Sequence, residues 1–339
     1  MWNNKRYSGD LKNYHYPVDK EFGSLLSFLK QVNVDKKIHL TDVMDWQMPY
    51  PESGYDLYIV CAFGEFVNEE FMNKIDSEMQ NIVLLTSQYF DNHNYKNTKV
   101  FYLEHLHTIK RFFTKTPYPL LSERSITHGS LSNRSTLHKT IITVKLLNRF
   151  KEDYRYTFCN QETTEYTIDS LDFCLAQFYP FLNLTDDEFA MIKNLHNNPV
   201  KIEGNTWGIE NKIYRDCKVI WTTESIFLSN IHAPTAYLTE KIIKSIISGS
   251  AFVLIGQQNS LARLNALGFK HMFDFDVNFD SKFDDKRFEE IFKLIDNFVF
   301  SDVQDIVDYN YNYFWGEFYD NTERMNQPLI QSILEYIND

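Results

Sequence analysis

From Lys218 to Phe273 the chain alternates short apolar runs with segments of helical period, and this alternation restricts the fold more than any other feature. It reads as a strand over Lys218 to Thr223, a loop, a helix over Tyr237 to Ser248, a strand over Ala251 to Ile255, a helix over Ser260 to Leu267 and a strand over Lys270 to Phe273. Gly249 and Gly268 stand where helix C-caps need a left-handed residue, and Gly256 suits the turn after a strand. Such a stretch is one half of a doubly wound α/β sheet. Ligands of these sheets bind beyond the carboxyl ends of the strands, which directs attention to the loops after Thr223 and Ile255.

The earlier chain carries the same alternation less cleanly. Runs rich in β-branched or aromatic residues at Asp56 to Cys61, Asn81 to Thr86 and Lys99 to Leu103 read as buried strands, with a weaker one at Lys37 to Leu40. Between the first two, Val67, Phe71 and Ile75 fall at helical spacing. A segment with two prolines, Thr116 to Leu121, then precedes a strand at Ser125 to Leu131 and a helix at Thr136 to Arg149. The expectation is therefore two α/β domains, residues 1–118 and 119–301, closed by one or two helices over 302–339.

At 339 residues, with 43% hydrophobic and 16% aromatic content, the chain can fill two cores. A formal charge of −12 disfavours a protein that coats nucleic acid nonspecifically. Met1 to Asp10 holds no apolar run, and the longest apolar stretch, Ile242 to Gly256, is broken by Lys244, Ser245, Ser248, Gly249 and Ser250, so a soluble, cytosolic protein without a membrane partner is expected. Cys61, Cys159, Cys174 and Cys217 are scattered without a CxxC pair and read as buried free thiols. Richness in Lys, Asn, Ile, Phe and Tyr suggests an AT-rich genome, such as that of a phage or a low-GC bacterium.

Three groups of residues carry possible chemistry. The first is Thr239-Glu240-Lys241, which opens a helix whose buried face is Ile242, Ile243, Ile246 and Ile247. A cation in the first turn opposes the helix dipole by about 0.3–1 kcal/mol, a conflict that a bound nucleotide phosphate at Lys241 would remove. Glu240 beside it is suited to accept hydrogen bonds from the two vicinal hydroxyls of a ribose. The plainer alternative has Thr239 capping the helix, Glu240 favouring its positive end and Lys241 solvated.

The second group is a run from Arg124 to Lys151 that holds Arg124, Arg134, Lys139, Lys145, Arg149 and Lys151 and no acidic residue. Ser132-Asn133-Arg134 leads from the strand into a helix containing His138 and Lys139, so a strand-to-helix turn offers donors for a pyrophosphate; the alternative is an exposed basic helix face. Third, Glu224-Ser225 follows a strand, ahead of a loop with His232 and Pro234, and either holds sugar or ribose hydroxyls or is satisfied by water. Asp274-Phe275-Asp276 resembles a metal-holding DxD, yet such triplets arise easily in an Asp-rich chain and no metal is expected. Thr185 and Glu188 have capping-box spacing and mark a helix start. Neither GxGxxG after a first strand nor GxxxxGK[ST] occurs, which removes the usual dinucleotide and ATPase readings.

Together the stretches LSNRSTLHKTIITVKLL from Leu131, TTES from Thr222 and YLTEKIIKSIISGSAFVLIGQQNSLARLNALGFKHMF from Tyr237 resemble the nucleotide-binding half of α-1,3-fucosyltransferase-like glycosyltransferases and related phage and bacterial glycosyltransferases. The resemblance covers the C-terminal half and hardly touches the N-terminal half. It implies two Rossmann-like domains facing a cleft, the GT-B arrangement, with a nucleotide-sugar as co-substrate in the second domain and no metal or other cofactor. By this likeness Glu240 would bind the ribose, Lys241 and Lys139 the phosphates, and Arg134 would assist. The chain departs from the pattern in Lys139, where an Arg is expected, and in Ala251-Phe252-Val253, where a Val-Pro-Val type strand is usual.

An inverting transfer needs a base for the acceptor hydroxyl. Glu65, beside Gly64 after the strand ending at Cys61, is the favoured residue, with Asp91, Glu104 and His105 as competitors. The expected acceptor is a hydroxymethylated pyrimidine in phage DNA, toward which the AT-rich composition and the lack of an apolar anchor lean, with a cell-surface or capsular glycan, toward which the acidic charge leans, as the alternative. A non-catalytic nucleotide-binding protein is the remaining alternative.

Overall fold

The computed structural model describes residues 8–10, 37–42, 54–62, 69–86, 95–104, 106, 109–110, 113–132, 136–158, 167, 169–200, 212–225, 227–228, 236, 238–273, 277–281 and 283–338. The chain divides into two compact units, one of Met1–Arg111 with Phe318–Asp339 and one of Phe112–Glu317.

The first unit is built on β1 (Ser8–Asp10), β2 (Ile38–Asp42), β3 (Leu57–Ala62), β4 (Ile82–Thr86) and β5 (Thr98–Tyr102), hydrogen-bonded in that order. β1 runs antiparallel to β2 and the remaining pairs are parallel. Ile59 and Val60 on β3 and Ile82 to Leu85 on β4 are wholly buried, as expected for parallel strands whose apolar runs do not alternate. Helix α1 (Glu69–Glu78) connects them and inserts Met72 and Ile75 into the core. Near its end the Asp76 carboxylate accepts from the Lys96 and Asn97 amides at 2.9 and 2.8 Å and from the Thr98 hydroxyl at 2.7 Å, which ties the helix to the start of β5. Burial raises the Asp76 pKa, but these donors outweigh it and leave the carboxyl below its ordinary range. Among the described residues the strand order of this sheet never reverses, so it presents no switch point.

The C-terminal helix, Phe318–Asn338, belongs to this unit. Its Asn326 clamps the chain just past β5, with Glu104 N donating to Oδ1 at 3.0 Å and Nδ2 donating to Glu104 O at 2.9 Å. A side-chain amide thus satisfies a backbone pair that no further strand reaches.

The second unit carries β6 (Ile126–Ser132), α2 (Leu137–Phe150), β7 (Tyr154–Phe158), α3 (Leu171–Phe178), α4 (Asp186–Asn197), α5 (Lys212–Asp216), β8 (Cys217–Thr223), α6 (Glu240–Ile247), β9 (Ala251–Ile255), α7 (Ser260–Ala266), α8 (Asp284–Asn297) and α9 (Gln304–Trp315). Among the described residues its strands are parallel in the order β7-β6-β8-β9. The connection from β6 moves one way along the sheet and that from β8 the other. Right-handed crossovers then place α2 and α6 on opposite faces, where α2 packs against α4 and α8 and α6 against α9.

Local signals explain most boundaries. Gly249 and Gly268 have φ of +61° and +94°, the left-handed caps expected after α6 and α7. Thr185 and Glu188 form the capping box of α4, with mutual bonds of 3.3 and 3.0 Å. Lys270 to Phe273, read above as a strand, is not one. Instead buried Asn310 of α9 takes the Lys270 amide at 2.8 Å and gives its own N–H to the Lys270 carbonyl at 2.8 Å, repeating the clamp seen at Glu104. β7 went unforeseen because it is short and its Arg155 is exposed at the sheet edge.

His128 on β6 shows how far burial governs this core. It is 3% exposed, stacks on Phe150 with ring centroids 3.6 Å apart, and accepts the Trp221 indole N–H at Nδ1 over 3.1 Å. Burial pushes its pKa down to about 4. Because the unfolded imidazole binds a proton more readily, this residue's contribution is complete above about pH 6.5 and is lost as pH falls toward the folded value, a loss of about 3 kcal/mol at most. Unfolding midpoints measured from pH 7 to 4 should therefore fall more steeply for the wild type than for His128→Gln. Parallel curves would refute this origin of acid sensitivity.

Candidate functional site

The reversal between β6 and β8 opens a crevice at their carboxyl ends, the place where open α/β sheets hold ligands. Three backbone segments supply its side chains: the start of α2, the end of β8 and the start of α6.

Glu224, the first residue past β8, is fully buried and organises the others. Its amide donates to Ile255 O at 2.8 Å, its carbonyl accepts from His138 Nε2 at 3.1 Å, and its carboxyl accepts from Thr239 N at 3.1 Å and from the Thr239 hydroxyl. Burial raises the Glu224 pKa, only partly offset by Lys241 and the two Thr239 donors. The chain can turn this tightly because Gly256 lacks a side chain; a Cβ there would lie 2.6 Å from Ser260 Oγ and 3.5 Å from Glu224 Cγ. Of the two roles open to Glu224, direct contact with sugar hydroxyls would require displacing Thr239. Its geometry is that of a group that fixes α6 against β8.

Thr239 is the N-cap of α6, and its Oγ1 accepts from the Lys241 amide at 3.3 Å. The Lys241 ammonium reaches back to Thr239 Oγ1 and Ser225 Oγ, each at 3.0 Å. Two of its three N–H bonds thus go to neutral hydroxyls, and the side chain is 25% exposed. Glu240 lies beside it with Lys241 Nζ at 3.7 Å and Lys244 Nζ at 3.8 Å, at ion-pair rather than hydrogen-bond distance. Burial raises the Glu240 pKa, yet Lys241, Lys244 and Lys139 together hold it below the usual carboxylate range. Leu131, Tyr214, Thr222, Thr223, Glu240 and Lys244 are among the residues lining the adjoining cleft.

Across the crevice, α2 begins with Thr136 in extended conformation, without a side-chain cap and without an acidic residue in its first turn. His138 and Lys139 are both buried there. The His138 ring lies over Phe227 at 5.7 Å and its Nε2 faces the Glu224 carbonyl, so it braces the two sides of the crevice. Lys139 contributes its charge to Glu240. By contrast, the N-terminus of α7 is filled by Asp280, whose carboxylate takes the Leu261 and Ala262 amides at 3.2 and 3.0 Å.

Of the residues singled out from the sequence, Glu224, Ser225, Glu240, Lys241, His138 and Lys139 converge here. Arg134, Glu65, Asp91, His105, His232, Pro234, Cys159 and Asp274 to Asp276 lie outside the described residues. The Glu104 carboxylate accepts from the Leu106 amide at 2.9 Å. The basic run does not form one face. Arg124 is buried among carbonyls, Lys145 pairs with Glu188 at 2.5 Å, and Arg149 donates to Asp296 O at 3.0 Å. Its acid-free composition reflects separate internal partners supplied by other segments. Lys244 and Tyr214 were missed; Lys244 sits one helical turn after Glu240, a legible signal, whereas Tyr214 reaches the cleft only through packing.

No protein-family model matches this chain, and no curated protein matches it. Among solved structures it is similar to a glycosyltransferase from Rickettsia africae ESF-5, over 95% of this chain and 83% of that one, at 14% identity and a TM-score of 0.35. A likeness at that level fixes neither fold nor activity. Among the described residues no helix is long and apolar enough to cross a membrane.

Proposed function

We propose that this chain transfers a glycosyl group from a nucleotide-activated donor to a hydroxyl acceptor. The observation that carries the reading is the pairing of Glu240 with Lys241 at the strand-order reversal, within the field of Lys139 and opposite a helix start with no side-chain cap. A diphosphate placed there would receive the remaining Lys241 N–H, the Lys139 charge and the first amides of α2. The ribose hydroxyls would donate to Glu240, which the surrounding ammonium groups keep ionised.

Transfer forms the bond from the acceptor oxygen to the anomeric carbon as the bond from that carbon to the diphosphate oxygen breaks. The leaving nucleoside diphosphate takes the electron pair, and the two lysines stabilise its growing charge, the task a divalent ion performs elsewhere. The acceptor proton passes to a base, for which Glu65 remains the proposal, and the anomeric centre inverts. The two units would then serve as the acceptor and donor halves of a GT-B enzyme. For the acceptor, a charge of −12 and the use of Arg124 and Lys145 by partners within the fold favour a glycan hydroxyl over a hydroxymethylated pyrimidine in DNA. Tight duplex binding that falls steeply with salt would reverse that preference.

Thermal unfolding with UDP, GDP, CMP, dTDP and their sugar conjugates tests the reading, since a ligand that binds only the native state raises its midpoint. A nucleotide-specific rise that Glu240→Gln diminishes is expected. No rise with any of them would overturn it.

A further inference from the structure

Lys244 is 4% exposed, yet it is an ammonium group within the last turn of α6. Burial draws its pKa down, and Glu240 one turn earlier, at 3.8 Å, pulls the other way. It lines one cleft with Glu240, Lys241, Tyr214, Leu131 and Thr222, and the Ser225 and Thr239 hydroxyls hold Lys241 there. The two lysines flanking Glu240 therefore differ in kind. The Lys241 side chain is 25% exposed, while that of Lys244 is only 5% exposed.

This difference matters once a ligand binds. On the reading proposed above, Lys241 and Lys139 neutralise the incoming diphosphate, so their field at Glu240 is largely cancelled by the phosphate charge. An extra anion nearby would raise the carboxyl pKa, and a protonated Glu240 would lose one acceptor and part of its strength toward hydroxyl donors. The remaining groups that face it from the packed elements do not compensate: Glu224 beyond β8 is a carboxyl whose own pKa burial raises, and Tyr214 of α5 is a phenol that burial keeps neutral. On this reading Lys244, enclosed and paired with Glu240 one turn away, is left to hold the carboxylate while Lys241 serves the diphosphate.

We infer that Lys244 is a positioning residue that keeps the Glu240 carboxylate oriented and ionised beneath a bound diphosphate, so that the site takes ribonucleotides in preference to their 2′-deoxy counterparts. The inference rests on the nucleotide reading of this site. Its lysine ion pair at i,i+4 costs little conformational freedom because helix geometry already sets the spacing.

The test uses the full chain and measures dissociation constants for UDP, GDP, CDP and ADP, each against its 2′-deoxy analogue, from pH 5 to 8. Wild-type protein should prefer one ribonucleotide over its analogue by about tenfold or more, the worth of a hydrogen bond to a charged group. In Lys244→Met the preference should shrink to within about threefold, as in Glu240→Gln, and the pH below which the ribonucleotide weakens should rise. Lys244→Arg should restore both. If the methionine variant does not fold, Lys244→Gln carries the same comparison.

Equal weakening of both members of a pair, with an unmoved pH profile, would make Lys244 merely structural and overturn the inference alone. Wild-type protein that binds none of the eight would overturn the nucleotide reading. Binding without ribose preference would remove Glu240 from the ribose and overturn the inference, while leaving the phosphate contacts standing.

Discussion

Replacing Arg124 by methionine should lower the stability of the second unit by at least about 3 kcal/mol, because several buried carbonyls lose their donor together. The Arg124 guanidinium donates to Tyr214 O at 2.9 Å, Cys217 O at 2.7 Å, Ser248 O at 2.9 Å, Gly249 O at 2.6 Å and Ser250 Oγ at 2.7 Å, and its Nε edge meets Pro119 O at 3.4 Å. Ser248 and Gly249 are the carbonyls at the end of α6, where the helix dipole is negative, so the charge is matched as well as the hydrogen bonds. Burial lowers its pKa to about 10, which still leaves it charged at neutral pH.

Lysine cannot reproduce this planar fork, so Arg124→Lys should recover less than half of the loss. Urea unfolding of the three proteins measures it, and a methionine variant within about 1 kcal/mol of wild type would refute the assignment. The functional consequence is indirect. Arg124 holds the far end of the helix whose near end presents Glu240 and Lys241.

Glu240→Ala and Lys241→Ala should each weaken nucleotide binding by about 10- to 100-fold, the range for hydrogen bonds to charged groups, while leaving the fold intact. Both side chains are partly exposed, at 28% and 25%, so their truncation empties no core. The two losses should differ in character: removal of Lys241 should weaken diphosphates more than nucleosides, and removal of Glu240 should weaken both. Calorimetric titration with a nucleoside and its diphosphate separates them. Unchanged affinity in both variants would sink the site.

Much of this arrangement is written locally. Thr239-Glu240-Lys241 before an isoleucine-rich face specifies a helix start carrying charge, and α6 begins at Glu240 with Thr239 as its cap. Glycines at 249 and 268 specify left-handed caps because any side chain there would strain the backbone. The Lys270 to Phe273 misreading shows the limit of such signals. A short apolar run has the same period whether its backbone pairs with a strand or with the amide of Asn310, and only the position of α9 distinguishes them.

The basic run fails as a guide for a related reason. Charge counted along the chain takes no account of partners contributed from elsewhere, and Glu188, Asp296 and the end of α6 lie 43, 147 and up to 125 residues from the cations they satisfy. Lys139 is buried with its charge acting on Glu240, and nothing in its immediate neighbours says so.

The sequence by itself determined β6, α2, β8, α6, β9 and α7 of the second unit, and that a carboxylate and an ammonium share the first turn of α6, although it opened that helix at Tyr237 rather than Glu240; each depends on contacts within a few residues. Only the tertiary structure decided that β6 and β8 are neighbours, that the strand order reverses between them, and that Glu224 and Lys139 come near Glu240. Those outcomes follow from which apolar faces bury one another across long stretches of chain, a choice that no local pattern encodes.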